Sequence, residues 1–345
     1  MPRRVLITGV ASFLGSALAK ALESSGDVSY IAGVDLAEPA LELDRTEFIK
    51  ADIRNPLIRR VLVSSEVDTV IHTGLASTPS RIGGRIAQKE RNVIGTLQLL
   101  AAAQRIERLR KVIIRSSTAV YGIDASAPSI LSEDWSSRLQ PERGYSSDVV
   151  EAETYARDLV RRRKDVEVTI LRMTNIVGPT ADTNMTQFFS LPAIPTALGF
   201  DPRLQLLHED DAIEVLMRAV LEEHPGIFNV AADGVIYLSQ AIRLARRLPL
   251  PIAAPLIQLV GDALRSTGMV DFPTDQMNLI IHGKVVDNRR LKEVFGYEPK
   301  FSTLEAFKDF ISHRSSAARG PKAFTDWEAG LYSFVEDRLK RVEAR

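Results

Sequence analysis

Three small residues at three-residue spacing, Gly9, Ser12 and Gly15, stand near the start of the chain between an apolar run and a helical pattern. Such a turn can seat a pyrophosphate, because the free N–H groups and positive dipole end of the helix face the anion. The first small residue allows the tight turn, the second faces the pyrophosphate, and the third lets the helix pack on the strand. Serine in the middle adds a hydroxyl that either donates to a phosphate or holds the ligand slightly off. Phe13 and Leu14 open the helix and belong to the same expected surface. Val28 to Val34 form a second apolar strand ending in Asp35, roughly 20 to 26 residues on, where a carboxylate binds an adenosine ribose diol. Glycine spacing alone would fit any strand-to-helix turn. With Asp35 it points to NAD(H) or NADP(H), and the carboxylate favours NAD because it repels a 2′-phosphate.

The elements that position these residues alternate. Val5, Leu6 and Ile7 make the uninterrupted apolar run of a strand buried on both faces. A third strand runs from Phe48 toward Arg54, and Asp52 and Ile53 at its end are expected beside the adenine. Val67 to His72 leads into the small-residue loop Thr73 to Ser77, of which Thr73 and Gly74 are assigned to the cofactor. A helix over Arg85 to Ile106, a strand over Lys111 to Ser116, a helix over Gly144 to Arg163 and a strand over Val166 to Arg172 follow. This alternation predicts an α/β fold, a doubly wound parallel (Rossmann) sheet with ligand at the carboxyl ends of its strands. Ser116 then falls at the cofactor.

From Pro179 the rhythm changes, and a second, smaller substrate-binding lobe is expected. Met185 to Phe200 is apolar and aromatic and holds Pro192 and Pro195, as a lid or pocket wall would; Leu248 to Val260 is similar. The plain alternative is that both stretches are the small lobe's core. The expected division is residues 1–178 with 204–235 for the dinucleotide, 179–203 with 236–312 for the substrate, and 313–345 as a helical tail.

Composition excludes several classes of partner. The 345 residues are 45% hydrophobic, enough for a large core, and 44 basic residues balance 44 acidic ones. Neither nucleic acid nor an anionic membrane has a general charge to attract. Cysteine is absent, which removes disulfides, thiolate nucleophiles and cysteine metal sites and fits a cytoplasmic protein. No run approaches the ~18 apolar residues of a membrane span. His72 and His208 have no second ligand at metal spacing and read as packed side chains, so no metal is expected. Asp210 and Asp211 read as an N-cap for a helix beginning near Ala212.

From Arg3 to about Ser312 the chain resembles an extended short-chain dehydrogenase/reductase of the NAD-dependent epimerase/dehydratase type. The carriers are Thr8-Gly9 to Gly15, Asp35, Asn92 to Thr96, Ser116 to Gly122, Leu171 to Pro179, His208 to Asp211 and Phe295 to Pro299. The resemblance implies that Ser117 holds the substrate oxygen and that Tyr145, beside the cofactor, passes the proton. It also implies a homodimer through the two long helices, and a small-molecule substrate bordered by Ser117, Thr118, Asn175, Met185, Phe188 and Phe189.

Two departures matter. The family's lysine four residues after the tyrosine is Val149 here, and no tyrosine in the chain has a lysine at that distance. An ordinary tyrosine, pKa near ~10, is only about one part in a thousand phenolate at neutral pH. Alcohol oxidation needs that base, whereas ketone reduction needs only hydride and an acid. The arginine expected four residues before His208 to hold a nucleotide-sugar diphosphate is Leu204, with Arg203 one place out of register; Asn175 still matches a phosphate-contacting position. The chain resembles actinobacterial members that lack the Tyr/Lys pair, a group that includes the angucyclinone ketoreductase of the simocyclinone pathway. That likeness implies reduction of an aromatic polyketide ketone, with the proton possible from the substrate itself. The alternatives are a nucleotide-sugar epimerase or dehydratase in which another group replaces the lysine, and a dinucleotide-binding protein without turnover.

Overall fold

The computed structural model describes residues 2–78, 83–122, 127–135, 144–191, 193–253 and 283–314. Short apolar strands form β1 (Arg3–Thr8), β2 (Val28–Asp35), β3 (Thr46–Lys50), β4 (Thr69–His72), β5 (Lys111–Ser117) and β6 (Glu167–Met173). Later strands are β7 (Asn175–Val177), β8 (Ala193–Ala197), β9 (Arg203–Leu204), β10 (Leu206–His208), β11 (Gly226–Val230), β12 (Ile236–Tyr237) and β13 (Leu248–Ile252). Seven of them make one parallel sheet in the order β11-β6-β5-β4-β1-β2-β3. The order reverses between β1 and β4, and the crevice at that reversal is where doubly wound sheets bind ligands.

Strand side chains alternate between faces. Val5, Ile7, Ile71, Ile113 and Leu171 enter one core with α1 (Phe13–Glu23), whose Leu14, Leu18 and Leu22 recur at helical spacing. Leu6, Val70, Val112, Ile114 and Ile170 enter the core on the opposite face. That face is covered by α2 (Ile58–Ser64), the region of α3 (Gly84–Lys89) and α4 (Thr96–Ala103), and α5 (Gly144–Arg162). The single helix expected over Arg85 to Ile106 is in three parts, with a π-helical turn at Glu90–Gly95. The turn turns buried Asn92 toward the Ala76 backbone, whose N–H and carbonyl it bonds at 2.9 Å each, and Asp148. It also sets Gly95 where a Cβ would lie 2.7 Å from Ile53 Cδ1.

The stretch expected as a lid is built into a third core. Thr183 and Thr186 form a reciprocal cap for α6 (Asn184–Ser190), and β8 pairs with β13. Phe188 and Phe189 pack edge to face with each other, and Phe189 packs on Phe307 at 4.8 Å. The plain core alternative therefore holds for these two phenylalanines: they are 1% and 2% exposed and turned away from the cleft described below. This core also includes α8 (Leu238–Leu244) and α10 (Thr303–Arg314), the latter following α9 (Arg289–Glu293). Residues 254–260 of the second apolar stretch and 315–345 of the expected tail lie outside the described residues.

The helix after β10 starts earlier than expected. α7 (Glu209–Leu221) is capped by His208, whose Nδ1 accepts from Asp210 N–H at 3.1 Å, and not by Asp210 or Asp211. Asp211 instead accepts from the Tyr297 hydroxyl and the Lys300 N–H. At its far end Lys111, 1% exposed, donates to the Ala219 and Glu222 carbonyls that the helix leaves open. No helix among the described residues is long and apolar enough to cross a membrane.

Candidate dinucleotide site and active centre

The carboxyl ends of β1, β2, β4, β5 and β6 border one cleft of about 740 Å³. Its floor is the turn from Gly9 to Ser12. Gly9 has φ +83°, and a Cβ there would stand 2.5 Å from Gly74 Cα; a Cβ on Gly15 would stand 2.2 Å from the Gly9 carbonyl oxygen. These contacts make a cradle that only bare backbone can form, as a pyrophosphate seat at a helix start requires. Ser12 lines the cleft, donates its hydroxyl proton to the Gly9 carbonyl at 2.7 Å and caps α1 by accepting from Gly15 N–H at 3.1 Å.

Asp35 lines the cleft at the end of β2 and accepts from Ala11 N–H at 3.1 Å and Leu36 N–H at 2.7 Å. Asp52 and Ile53 line it farther along, as do Phe13, Leu14, Thr73 and Gly74. Hydrogen bonds from Arg54 hold the Asp52 carboxyl below the ordinary carboxylate range and occupy both of its oxygens. The Thr73 hydroxyl is spent on the Thr8 carbonyl at 2.9 Å. These residues fit a dinucleotide.

Ser117 and Tyr145 face the cleft from β5 and from the first turn of α5. Asn175 and Met185 also line it. Thr118 does not, and Ser116 points the other way: fully buried, it donates to Glu153 Oε1 at 2.6 Å. Strand alternation puts consecutive serines on opposite faces, so assigning both side chains to the cleft was one too many. Glu153 also takes two hydrogen bonds from Arg172, at 3.0 and 2.8 Å, and Arg172 bonds the Tyr121 hydroxyl. This buried network ties β5, β6 and α5 together directly behind Ser117 and Tyr145.

Val149, one turn beyond Tyr145, is 0% exposed and packs in the core with Ala152 and Ala156. The cation on the cleft wall nearest Ser117 in sequence is Arg115, which the sequence reading passed over. A charged residue following Val112, Ile113 and Ile114 in a buried strand was the available signal. Asp182, Asn184 and Gln187 add polar groups after β7 that were also missed. His72 bonds Thr8 Oγ1 at 2.7 Å and Thr96 Oγ1 at 3.0 Å, and burial, helped by the charge of Arg115, pushes it down to about 4. It is a neutral packing group.

The model of the NAD dependent epimerase/dehydratase family matches residues 5–231. An uncharacterized protein of Mycobacterium tuberculosis is 39% identical over 332 residues, 95% of this chain and 88% of that one. UDP-glucose 4-epimerase of Mycolicibacterium smegmatis is 26% identical, covering 88% and 95% of the two chains. Among solved structures, UDP-glucose 4-epimerase of Thermotoga maritima with UDP-glucose superposes with a TM-score of 0.71 at 19% identity, covering 90% and 98%. That last likeness shows the fold.

Proposed function

The chain belongs to the NAD-dependent epimerase/dehydratase family, and from that premise we propose that it is an NAD(H)-dependent ketoreductase of a small-molecule substrate. The observation that carries this reading is the fate of one helix position: Ser117 and Tyr145 face the cleft together, while Val149 is sealed in the core. Gly9, Gly15 and Asp35 would hold the dinucleotide, which when bound supplies the reducing equivalent. Ser117 would donate a hydrogen bond to the carbonyl oxygen and Tyr145 would deliver its proton. Neither role needs an ammonium group on α5. An epimerase must also withdraw a proton from an alcohol within each cycle, the step that the missing lysine normally assists.

For the substrate, the finer reading is an aromatic polyketide ketone. Its support was the apolar character of Met185 to Phe200 and Leu248 to Val260, and among the described residues of these stretches Met185 is the apolar one that lines the cleft, because Phe188 and Phe189 serve the core. A second reading, a nucleotide sugar, is favoured by Asn175, Asp182, Asn184 and Gln187 on the same wall and by the 26% identical epimerase. The test is NADH consumption against two panels, aromatic polyketide ketones and nucleotide 4-keto sugars, with UDP-glucose and NAD⁺ incubated alongside. Alcohol product from either panel supports the reductase. Interconversion of the UDP sugar without net NADH use refutes it, and tight NADH binding without turnover of anything favours a protein that only binds.

A further inference from the structure

Among the described residues, six ionisable side chains line the cleft: Asp35, Asp52, Arg91, Arg115, Tyr145 and Asp182. Asp35 is engaged by two backbone N–H groups and Asp52 by Arg54, with the charge of Arg91 also acting on Asp52. Asp182 accepts from Gln187 at 3.0 Å. Arg115 is less well held: among the described residues its one hydrogen bond is a long one, from Nη1 to the Leu75 carbonyl at 3.3 Å, and its buried Nε has no partner. A guanidinium carries five N–H donors, and a buried donor left unsatisfied is costly. Such groups persist where a ligand completes them.

The strand ladder explains where this side chain goes. β4 ends at His72, paired with Ile114, so Arg115 is the first β5 residue with no β4 neighbour beside it. It can lean over the end of β4 toward the loop at Leu75, into the crevice. It shares a strand face with Ser117, about 7 Å further along. The fall in the pKa of fully buried His72, though mainly due to burial, includes this charge.

We propose that Arg115 is the cation of the reacting centre, placed on β5 instead of α5, where it stabilises the oxyanion that forms on a carbonyl held by Ser117 and Tyr145. The assignment rests on the reductase reading. A bound dinucleotide would supply the hydride for the new C–H bond; the C=O π pair moves onto oxygen, the O–H bond forms with the phenolic proton of Tyr145, and water returns a proton to Tyr145. Arg115 transfers nothing in this step. It contributes fixed charge and N–H donors.

The probe is 4-nitrophenol, whose colour reports whether its oxygen is ionised, added to the protein without cofactor or substrate. Wild type should bind it as the phenolate at least ~10-fold more tightly than Arg115→Met, with Arg115→Lys retaining most of the gain. NADH affinity, which also reports folding, should stay within about threefold in all three. With a ketone that turns over, Arg115→Met should lower kcat roughly 100-fold at little change in KM. Phenolate binding by wild type no tighter than by Arg115→Met overturns the proposal, as does a loss in Arg115→Met confined to NADH affinity, which would make the arginine a cofactor clamp. If no ketone is reduced but phenolate binding follows Arg115, the oxyanion site stands and the reductase reading fails.

Discussion

Glu153→Ala should cost about 3–5 kcal/mol of stability, because it strands a charge that has no exit. The Glu153 carboxylate is 0% exposed and accepts four hydrogen bonds, from Ser116, Arg157 and twice from Arg172. Burial works against the Arg172 charge, but the hydrogen bonds and charge of Glu153 outweigh it and hold the guanidinium ionised more firmly than usual. Without Glu153, Arg172 keeps only the Tyr121 hydroxyl and the Glu133 carbonyl. Arg157 bonds the same carboxylate at 2.6 Å but is 42% exposed, so Arg157→Ala should cost less than about 1 kcal/mol. Replacing both buried partners, Glu153→Ala with Arg172→Met, should recover much of the loss, since an apolar pair leaves no orphaned charge. Urea denaturation of the four proteins measures this directly. Equal losses for Glu153→Ala and Arg157→Ala, or a double variant less stable than Glu153→Ala, would refute the account of the network.

Gly15→Ala drives a Cβ toward the Gly9 carbonyl, and calorimetry should find NADH affinity down by roughly 10- to 100-fold; an unchanged affinity would show that the turn is not the phosphate seat. Wild type should prefer NADH to NADPH, and Asp35→Asn should narrow the preference about tenfold if the carboxylate is what repels the 2′-phosphate. The His72 pKa is depressed in the folded state, so its contribution to stability is complete above the ordinary value of 6.5 and lost as pH falls toward about 4. That loss should be about 3 kcal/mol and should be absent in His72→Gln, with the His72 imidazole resonances showing no protonation until near the lower value.

Where burial has one cause, the sequence was readable. Val5 to Ile7, Val28 to Val34 and Lys111 to Ser116 became strands within two residues of expectation, because a strand covered on both faces needs an apolar run at its centre. The glycines were readable for the same reason, since bare backbone has few substitutes. Direction along a strand was harder. Nothing in a pair of serines says which one faces a ligand until a sheet supplies the faces, and Ser116 and Ser117 separated only then. Phe188 and Phe189 show the other difficulty: an apolar helix serves equally as pocket wall or as core, and the choice was made by Phe307, more than a hundred residues away. The π-helical turn at Glu90–Gly95 was hidden because the contacts that go with it, Asn92 on Ala76 and Gly95 on Ile53, join residues that only the fold brings together.

On the proposed reading, the position of the cation decides which group it acts on. On α5, one turn from the tyrosine, a positive charge acts first on the phenol; on β5, in line with Ser117, it acts first on the substrate oxygen. Lowering the oxyanion barrier helps both directions of the same step, by microscopic reversibility, so Arg115 does not itself choose reduction over oxidation. Nor does the proton, since a phenol that donates in one direction accepts in the other. What the packed valine at the lysine position removes is a charge that would speed both, and on the proposed reading Arg115 supplies one beside the substrate oxygen instead. Net turnover then follows the supply of reduced cofactor, which a reductase exchanges after each cycle and an epimerase must keep.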